Sequence, residues 1–284
     1  MTDRHDQLDA RWQKGLRTAL LGDDLGETPP VLPGYRIERL LASGGTGLIY
    51  LATDLTLQRT IAVKVLSRRA AADRTVAARF AAEARIASSL QHPGTVPIHA
   101  AGTLPDGRPW FSMQVVVGET LAEALQRRHA PGEHLLVHLE TFARICDTVA
   151  YAHARGICHG DLKPANVMIG AFGEVQVLDW GFATRADTTP SGEPARAIGT
   201  PAYMAPEQAV PTTDGLDPRT DVFGLGGILL EILTGQPPYV AADQVQRFAL
   251  ASAGALEPAL ARLAAGAADP HLRELVAACL EPVA

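Results

Sequence analysis

The densest run of reactive side chains is His159-Gly160-Asp161-Leu162-Lys163-Pro164-Ala165-Asn166. It sets a carboxylate, an amine and a carboxamide within six residues. Such a set can orient a hydroxyl, neutralise a phosphoryl group in transfer and hold a metal ion. A second carboxylate opens Asp179-Trp180-Gly181, directly after a strand-like run. It could complete a Mg²⁺ site, because Mg²⁺ prefers oxygen ligands and keeps several waters. Lys64 interrupts the apolar run Thr60-Ile61-Ala62-Val63-Lys64-Val65-Leu66. A lysine in a buried strand is costly unless it is paired. Glu83, set among alanines downstream, would pair with it; a lysine on an edge strand, reaching solvent, fits that feature equally well.

These groups need elements to position them. Tyr35–Leu40, Leu48–Leu51 and Thr60–Leu66 read as three short strands. The glycine cluster Leu41-Ala42-Ser43-Gly44-Gly45-Thr46-Gly47-Leu48-Ile49-Tyr50 joins the first two. A Walker or Rossmann loop would instead lead from a strand into a helix. A glycine hairpin can lie over phosphates and present backbone N–H groups, although a plain turn has the same composition. Residues 76–90 are spaced for a helix, and Ile98–Ala101 and Trp110–Val117 for further strands. After Gly118 helices dominate. Leu139, Phe142, Cys146, Val149 and His153 form one apolar face, and Val222, Leu225, Leu229 and Ile232 another. Val167–Ile169 and Val175–Leu178 read as strands, and 184–200 as a long irregular loop of the kind that is functional or disordered. The expectation is an α+β chain: a small β-rich lobe over 35–116, a larger helical lobe over 117–284, and a cleft between them. Leu8, Trp12, Leu16 and Leu20 mark a short helix in a leader, 1–34, that ends in a Gly/Pro-rich linker.

Composition narrows the function. The 284 residues carry 25 basic and 31 acidic side chains, a formal charge of −6, with 47% hydrophobic and 20% charged residues. That excludes a disordered chain and a polybasic nucleic-acid binder. The length suits one large or two modest domains. Cys146, Cys158 and Cys279 are too scattered for a disulfide framework or a zinc site and suit a reducing, cytoplasmic setting. The N-terminus has no apolar core of the secretory type. The longest apolar stretch, Val222–Leu233, is broken by Glu231 and falls short of the roughly 20 residues of a membrane span.

Taken in order, these motifs resemble the eukaryotic-type protein kinases, specifically the serine/threonine class found in bacteria. The ordered set is the glycine loop, Ile61-Ala62-Val63-Lys64, Glu83, His159–Asn166, Asp179-Trp180-Gly181, Ala205-Pro206-Glu207 and Asp221-Val222-Phe223-Gly224-Leu225-Gly226. The resemblance implies a two-lobed kinase fold and transfer of the ATP γ-phosphoryl to Ser/Thr hydroxyls of protein substrates. Ala42, Ser43, Gly44, Gly45 and Gly47 would then cover the ATP phosphates. Lys64 would bind the α/β-phosphates and pair with Glu83. Asp161 would accept the substrate hydroxyl's proton, Lys163 would stabilise the γ-phosphoryl, and Asn166 with Asp179 would hold Mg²⁺. Ile49, Ala62 and Met168 would hold the adenine, with Met113 behind it and Gln114 and Val116 offering backbone hydrogen bonds. A nucleotide-binding module without turnover is the alternative.

The sequence departs from the family pattern at four places. Ala42 replaces the opening glycine of the loop, which predicts a stiffer loop. Gly160 replaces the arginine that, in the family, pairs with a phosphorylated activation loop, so activity is expected not to depend on phosphorylating Thr188, Thr189 or Ser191. Trp180 replaces a phenylalanine. Finally, His271–Leu280 resembles the penultimate helix, so the last helix, with the arginine that would pair with Glu207, is expected to be missing and Glu207 to lack its partner.

Overall fold

A computed structural model describes residues 28–44, 46–185, 199–209 and 216–281. The leader helix, Gly45 and the Thr188, Thr189 and Ser191 hydroxyls lie outside the described residues. Internal packing divides the chain into two compact units. One runs to Glu119 and includes Gly170–Glu174; the other comprises Thr120–Ile169 and the residues from Val175.

The first unit is built on one antiparallel sheet. Its strands are β1 (Tyr35–Ser43), β2 (Gly47–Asp54), β3 (Arg59–Leu66), β4 (Ile98–Thr103) and β5 (Pro109–Met113), in the order β1-β2-β3-β5-β4. β3 is central and its last six residues are all buried, so it reads as an apolar run rather than an alternation. A short helix, α1 (Arg68–Ala71), precedes α2 (Arg74–Ser89). The Asp73 carboxylate starts α2 by accepting from Thr75 N at 2.8 Å and Val76 N at 3.4 Å. Phe80 and Ala84 of α2 then pack on Leu66 and Phe111 of the sheet. β5 ends four residues before the expected Val117. Opposite Gln114 in the β4–β5 register stands Pro97, which accepts from the Gln114 N–H at 3.0 Å but has no N–H to return, so the ladder ends there. The strand β6 (Gly118–Thr120) follows.

The second unit is mainly helical: α3 (Leu121–Gln126), α4 (Leu135–His153), α5 (Pro206–Ala209), α6 (Pro218–Thr234), α7 (Gln244–Ser252), α8 (Glu257–Ala265) and α9 (Pro270–Cys279). Short strands β7 (Ile157–Cys158), β8 (Val167–Gly170), β9 (Val175–Val177) and β10 (Thr184–Arg185) frame the loop that carries Asp161. β8 pairs antiparallel with β9, and β7 with β10.

α6 is the axis of this unit. Asp217 caps it, Pro218 occupies its first turn, and Gly235 closes it at φ 77°. Beyond its first turn it is buried nearly all round; of the expected Val222/Leu225/Leu229/Ile232 face, Leu229 and Ile232 are fully buried, Leu225 is partly buried and Val222 is 37% exposed. Gly224 lets the segment that carries Asp161 come close, since a Cβ there would lie 2.9 Å from Leu162 Cβ.

The buried face of α4 also differs from the expected one. It runs through His138, Thr141, Ile145, Thr148, Val149 and Ala152. Two threonines can be buried because their hydroxyls donate back to the Val137 and Arg144 carbonyls, each at 2.9 Å. Leu139 and Phe142 are only partly buried and pack on the α6 core from the side.

Candidate active site

In the first unit, Lys64 sits in register between Ile49 on β2 and Phe111 on β5. Its ammonium donates to Glu83 Oε1 on α2 at 2.6 Å, with 11% and 9% of the two side chains exposed. Nζ also lies 5.8 and 5.7 Å from the Phe80 and Phe111 ring centroids. The lysine is therefore interior and paired, not a solvent-reaching edge residue. Such a pair must be kept whole, because removing one partner leaves a buried charge.

The glycine hairpin closes with Gly44 N–H donating to Gly47 O at 2.9 Å and Ser67 N–H to Thr46 O at 3.1 Å. Ala42 is buried against Ile49, and the buried Ser43 hydroxyl has no partner among the described residues. Ala62 lies opposite Met113. Because the Gln114 N–H is taken by Pro97, only its carbonyl is left to meet a ligand.

In the second unit, Asp161 is 5% exposed. Lys163 Nζ donates to its Oδ2 at 2.6 Å and to Thr200 Oγ at 2.5 Å. Asn166 Nδ2 donates to the Asp161 carbonyl at 2.8 Å and to Oδ2 at 3.2 Å. Both side-chain contacts fall on one carboxylate oxygen. Oδ1 faces neither of them, and the Asn166 amide oxygen is turned away from its own engaged NH₂ group.

Asp179 has φ 60° and ψ 70°, a left-handed conformation that costs a non-glycine residue on the order of 1–3 kcal/mol. The chain is held there by Leu178. Its N–H donates to Asn166 O at 2.8 Å and its carbonyl accepts from His159 Nε2 at 2.9 Å. Met168 is buried on β8. Trp180 is also buried, with its ring 4.7 Å from that of His159 and its indole N–H donating to Val177 O at 3.3 Å.

Three residues to which the sequence reading gave no role hold this loop. Asp221, buried at the start of α6, accepts from His159 N at 2.7 Å, Gly160 N at 2.8 Å and His153 Nε2 at 2.7 Å. Its signal was visible: an acid inside the most apolar helix needs partners. His153, Cys158 and Asp221 bring ligand atoms within 4.8 Å of one another. Asp221 is already met by three donors, and burial together with its charge pushes the Cys158 thiol up to about 12. The group is a hydrogen-bonded brace rather than a metal site. Gln208, on α5, reaches the Gly160 carbonyl at 2.7 Å. Nothing in its local sequence signalled that contact.

Gly160 adopts φ +78°, and a Cβ there would lie 2.5 Å from Leu216 Cδ1 and 3.1 Å from Phe182 O. Leu216 thus fills the space where a longer side chain would leave the backbone. Glu207 is not left without a partner, because it accepts from Thr220 Oγ at 3.1 Å. That hydroxyl, on α6, gives the carboxylate a hydrogen bond but not the positive charge of the expected arginine.

Comparison with known proteins adds the family context. A family model described as "Protein kinase domain" matches residues 35–282. The chain is 39% identical over 219 residues to a serine/threonine-protein kinase PknB of Mycobacterium leprae, covering 75% of this chain and 34% of that protein. It is 38% identical over 215 residues to PknJ of Mycobacterium bovis, covering 74% and 36%. It is 33% identical over 232 residues to PknD of Protochlamydia amoebophila, covering 72% and 23%. The chain therefore spans only about a third or less of the length of these relatives.

Proposed function

The chain belongs to the protein kinase family, and on that premise we propose that it transfers the γ-phosphoryl group of ATP to serine and threonine hydroxyls of proteins. Its relatives PknB, PknJ and PknD are serine/threonine-protein kinases, which supports this reading. The observation that carries it is the Asp161 carboxylate. It is buried, with Lys163 and Asn166 both on Oδ2. That leaves Oδ1 to accept the hydrogen bond, and then the proton, of an incoming hydroxyl. Lys163 sits beside that oxygen pair and offsets negative charge that gathers on the transferring group.

Lys64, fixed by Glu83, holds the α/β-phosphates. The hairpin of Ala42, Ser43, Gly44, Gly45 and Gly47 covers the phosphates, with the Gly44 N–H kept for the turn itself by its bond to Gly47 O. Ile49 and Ala62 give apolar surface to the adenine, Met113 backs it, and Gln114 offers its carbonyl and Val116 its N–H. Asn166 and Asp179 fit Mg²⁺, since both present hard oxygen donors and the Asn166 NH₂ is already engaged elsewhere. Bound Mg²⁺ would neutralise phosphate charge. The protein's share of the work is positioning and electrostatics rather than covalent chemistry. Such a reaction needs ATP, and with three free cysteines it suits the cytoplasm. Among the described residues, no single helix is long and apolar enough to cross a membrane.

The test is phosphotransfer from Mg·ATP to a generic protein acceptor, wild type against Asp161→Asn. Turnover in the wild type that vanishes in the variant supports the kinase. Nucleotide binding without turnover in either supports the non-catalytic alternative.

A further inference from the structure

We propose that Gln208 is a positioning residue that fixes the peptide group immediately preceding Asp161, and that it couples the 199–209 segment to the catalytic loop without a phosphate. The inference rests on the phosphotransfer reading above and concerns how that same site is held. The peptide joining Gly160 to Asp161 has two polar edges, and each has one partner. Its carbonyl accepts from Gln208 Nε2 at 2.7 Å, and its N–H donates to His159 Nδ1 at 3.2 Å. The preceding peptide is tied by Gly160 N–H to Asp221 Oδ1 at 2.8 Å. The Gln208 amide is itself oriented, because its Oε1 accepts from Ala205 N at 3.0 Å and the residue is 8% exposed. Gly199 passes directly over the contact, since a Cβ there would lie 3.3 Å from both Gln208 Nε2 and the Gly160 carbonyl oxygen.

Two features make this hydrogen bond more consequential here than at an ordinary loop. Residue 160 is glycine, the residue with the greatest backbone freedom, so nothing intrinsic to the chain keeps this peptide from rotating. Residue 160 also has no side chain through which an arriving phosphate could hold the loop. The restraint comes instead from a neutral amide that is present at all times. Lys163 adds a parallel tie from the loop to Thr200 at 2.5 Å. Gln208 touches no reacting atom. It acts through the orientation of Asp161.

The experiment uses the full chain with Mg·ATP and a protein acceptor, comparing wild type, Gln208→Leu and Gln208→Glu. Gln208→Leu removes the donor, and kcat is expected to fall on the order of 10–100-fold, the scale of a displaced catalytic group. KM for ATP should stay near wild type. Gln208→Glu keeps the acceptor for Ala205 N but turns an oxygen toward the Gly160 carbonyl, so only the protonated acid can donate. Its kcat, as a fraction of wild type measured at the same pH, should rise as pH is lowered; a purely structural role predicts no such recovery. Amide hydrogen exchange in Gln208→Leu should quicken at residues 159–162 before it does elsewhere. If Gln208→Leu does not fold, the pH recovery of Gln208→Glu decides. An active wild type with Gln208→Leu at wild-type kcat, or with Gln208→Glu showing a flat ratio across pH, overturns the positioning role alone. A wild type that binds ATP but phosphorylates no acceptor overturns the phosphotransfer reading, and the positioning role falls with it.

Discussion

His138 gives the most direct test of the packing described above. It is 5% exposed on α4, and neither ring nitrogen has a hydrogen-bond partner among the described residues. A buried polar group left unpaired costs about 1–3 kcal/mol. Leucine has a similar volume and no polar atoms, so His138→Leu is expected to stabilise the fold by about that amount at pH 8. Burial holds the imidazole below its ordinary range, and the positive charges of Arg128, His134 and Arg127 act in the same direction. The unfolded chain therefore binds a proton that the folded chain resists. The stability due to the neutral ring is fully present above the unfolded value of about 6.5 and is lost as pH falls below it. The loss is at most about 1.4 kcal/mol per pH unit. His99, also held low by burial, titrates alike in both proteins and cancels in the difference. Urea unfolding of wild type and His138→Leu at pH 8.0, 6.5 and 5.5 reads this directly. The gap should favour leucine at pH 8 and widen on acidification. A variant less stable than wild type at pH 8, or a gap that does not change with pH, would refute the reasoning.

Three further outcomes follow from the same geometry. Glu83→Ala strands the Lys64 ammonium in the interior and should cost about 3–5 kcal/mol by chemical denaturation; Lys64→Met with Glu83→Leu should recover most of that while remaining inactive, and no recovery would count against a buried pair. Gly160→Ala must place a Cβ at φ +78° against Leu216 and should cost about 1–3 kcal/mol; Leu216→Ala in the same chain should return only the steric share, and full tolerance of the single substitution would contradict the packing at that position. Alanine at Thr188, Thr189 and Ser191 together should leave turnover intact in the phosphotransfer assay, whereas its abolition would show that the loop needs phosphate despite Gly160.

The parts of the site that could be read from sequence are those in which local burial forces a partner. Lys64 lies in an apolar strand, and Glu83 is an acid set among alanines in the helix that follows, so the pair is one of the two readings the sequence offers, and burial of both decides for it. Asp161, Lys163 and Asn166 lie within six residues, so their mutual contacts are nearly local. Asp221 and Gln208 reach Gly160 from 61 and 48 residues away, and neither distance leaves a periodic trace. The buried face of α4 shares Val149 with the expected one but is otherwise offset from it, for a related reason. Thr141 and Thr148 look polar in a pattern, but their hydroxyls bond to the helix's own backbone, and the helix then buries them. β5 stops early because the residue opposite Gln114 on the neighbouring strand is Pro97, which has no N–H to give, a limit that the propensity of β5 itself does not record.

Gly160 looks at first like a loss, a position where the family's arginine and its phosphate receptor have been deleted. The structure changes what the deletion means. The space beside the backbone is filled by Leu216, so an arginine could not enter without displacing an apolar side chain. The left-handed backbone at this residue suits glycine, and the freedom glycine introduces is answered by Asp221 on its N–H and Gln208 on its carbonyl. Rigidity has moved from a side chain on the loop to buried partners on α5 and α6. These restraints are made by groups of the chain itself, with no added charge among them.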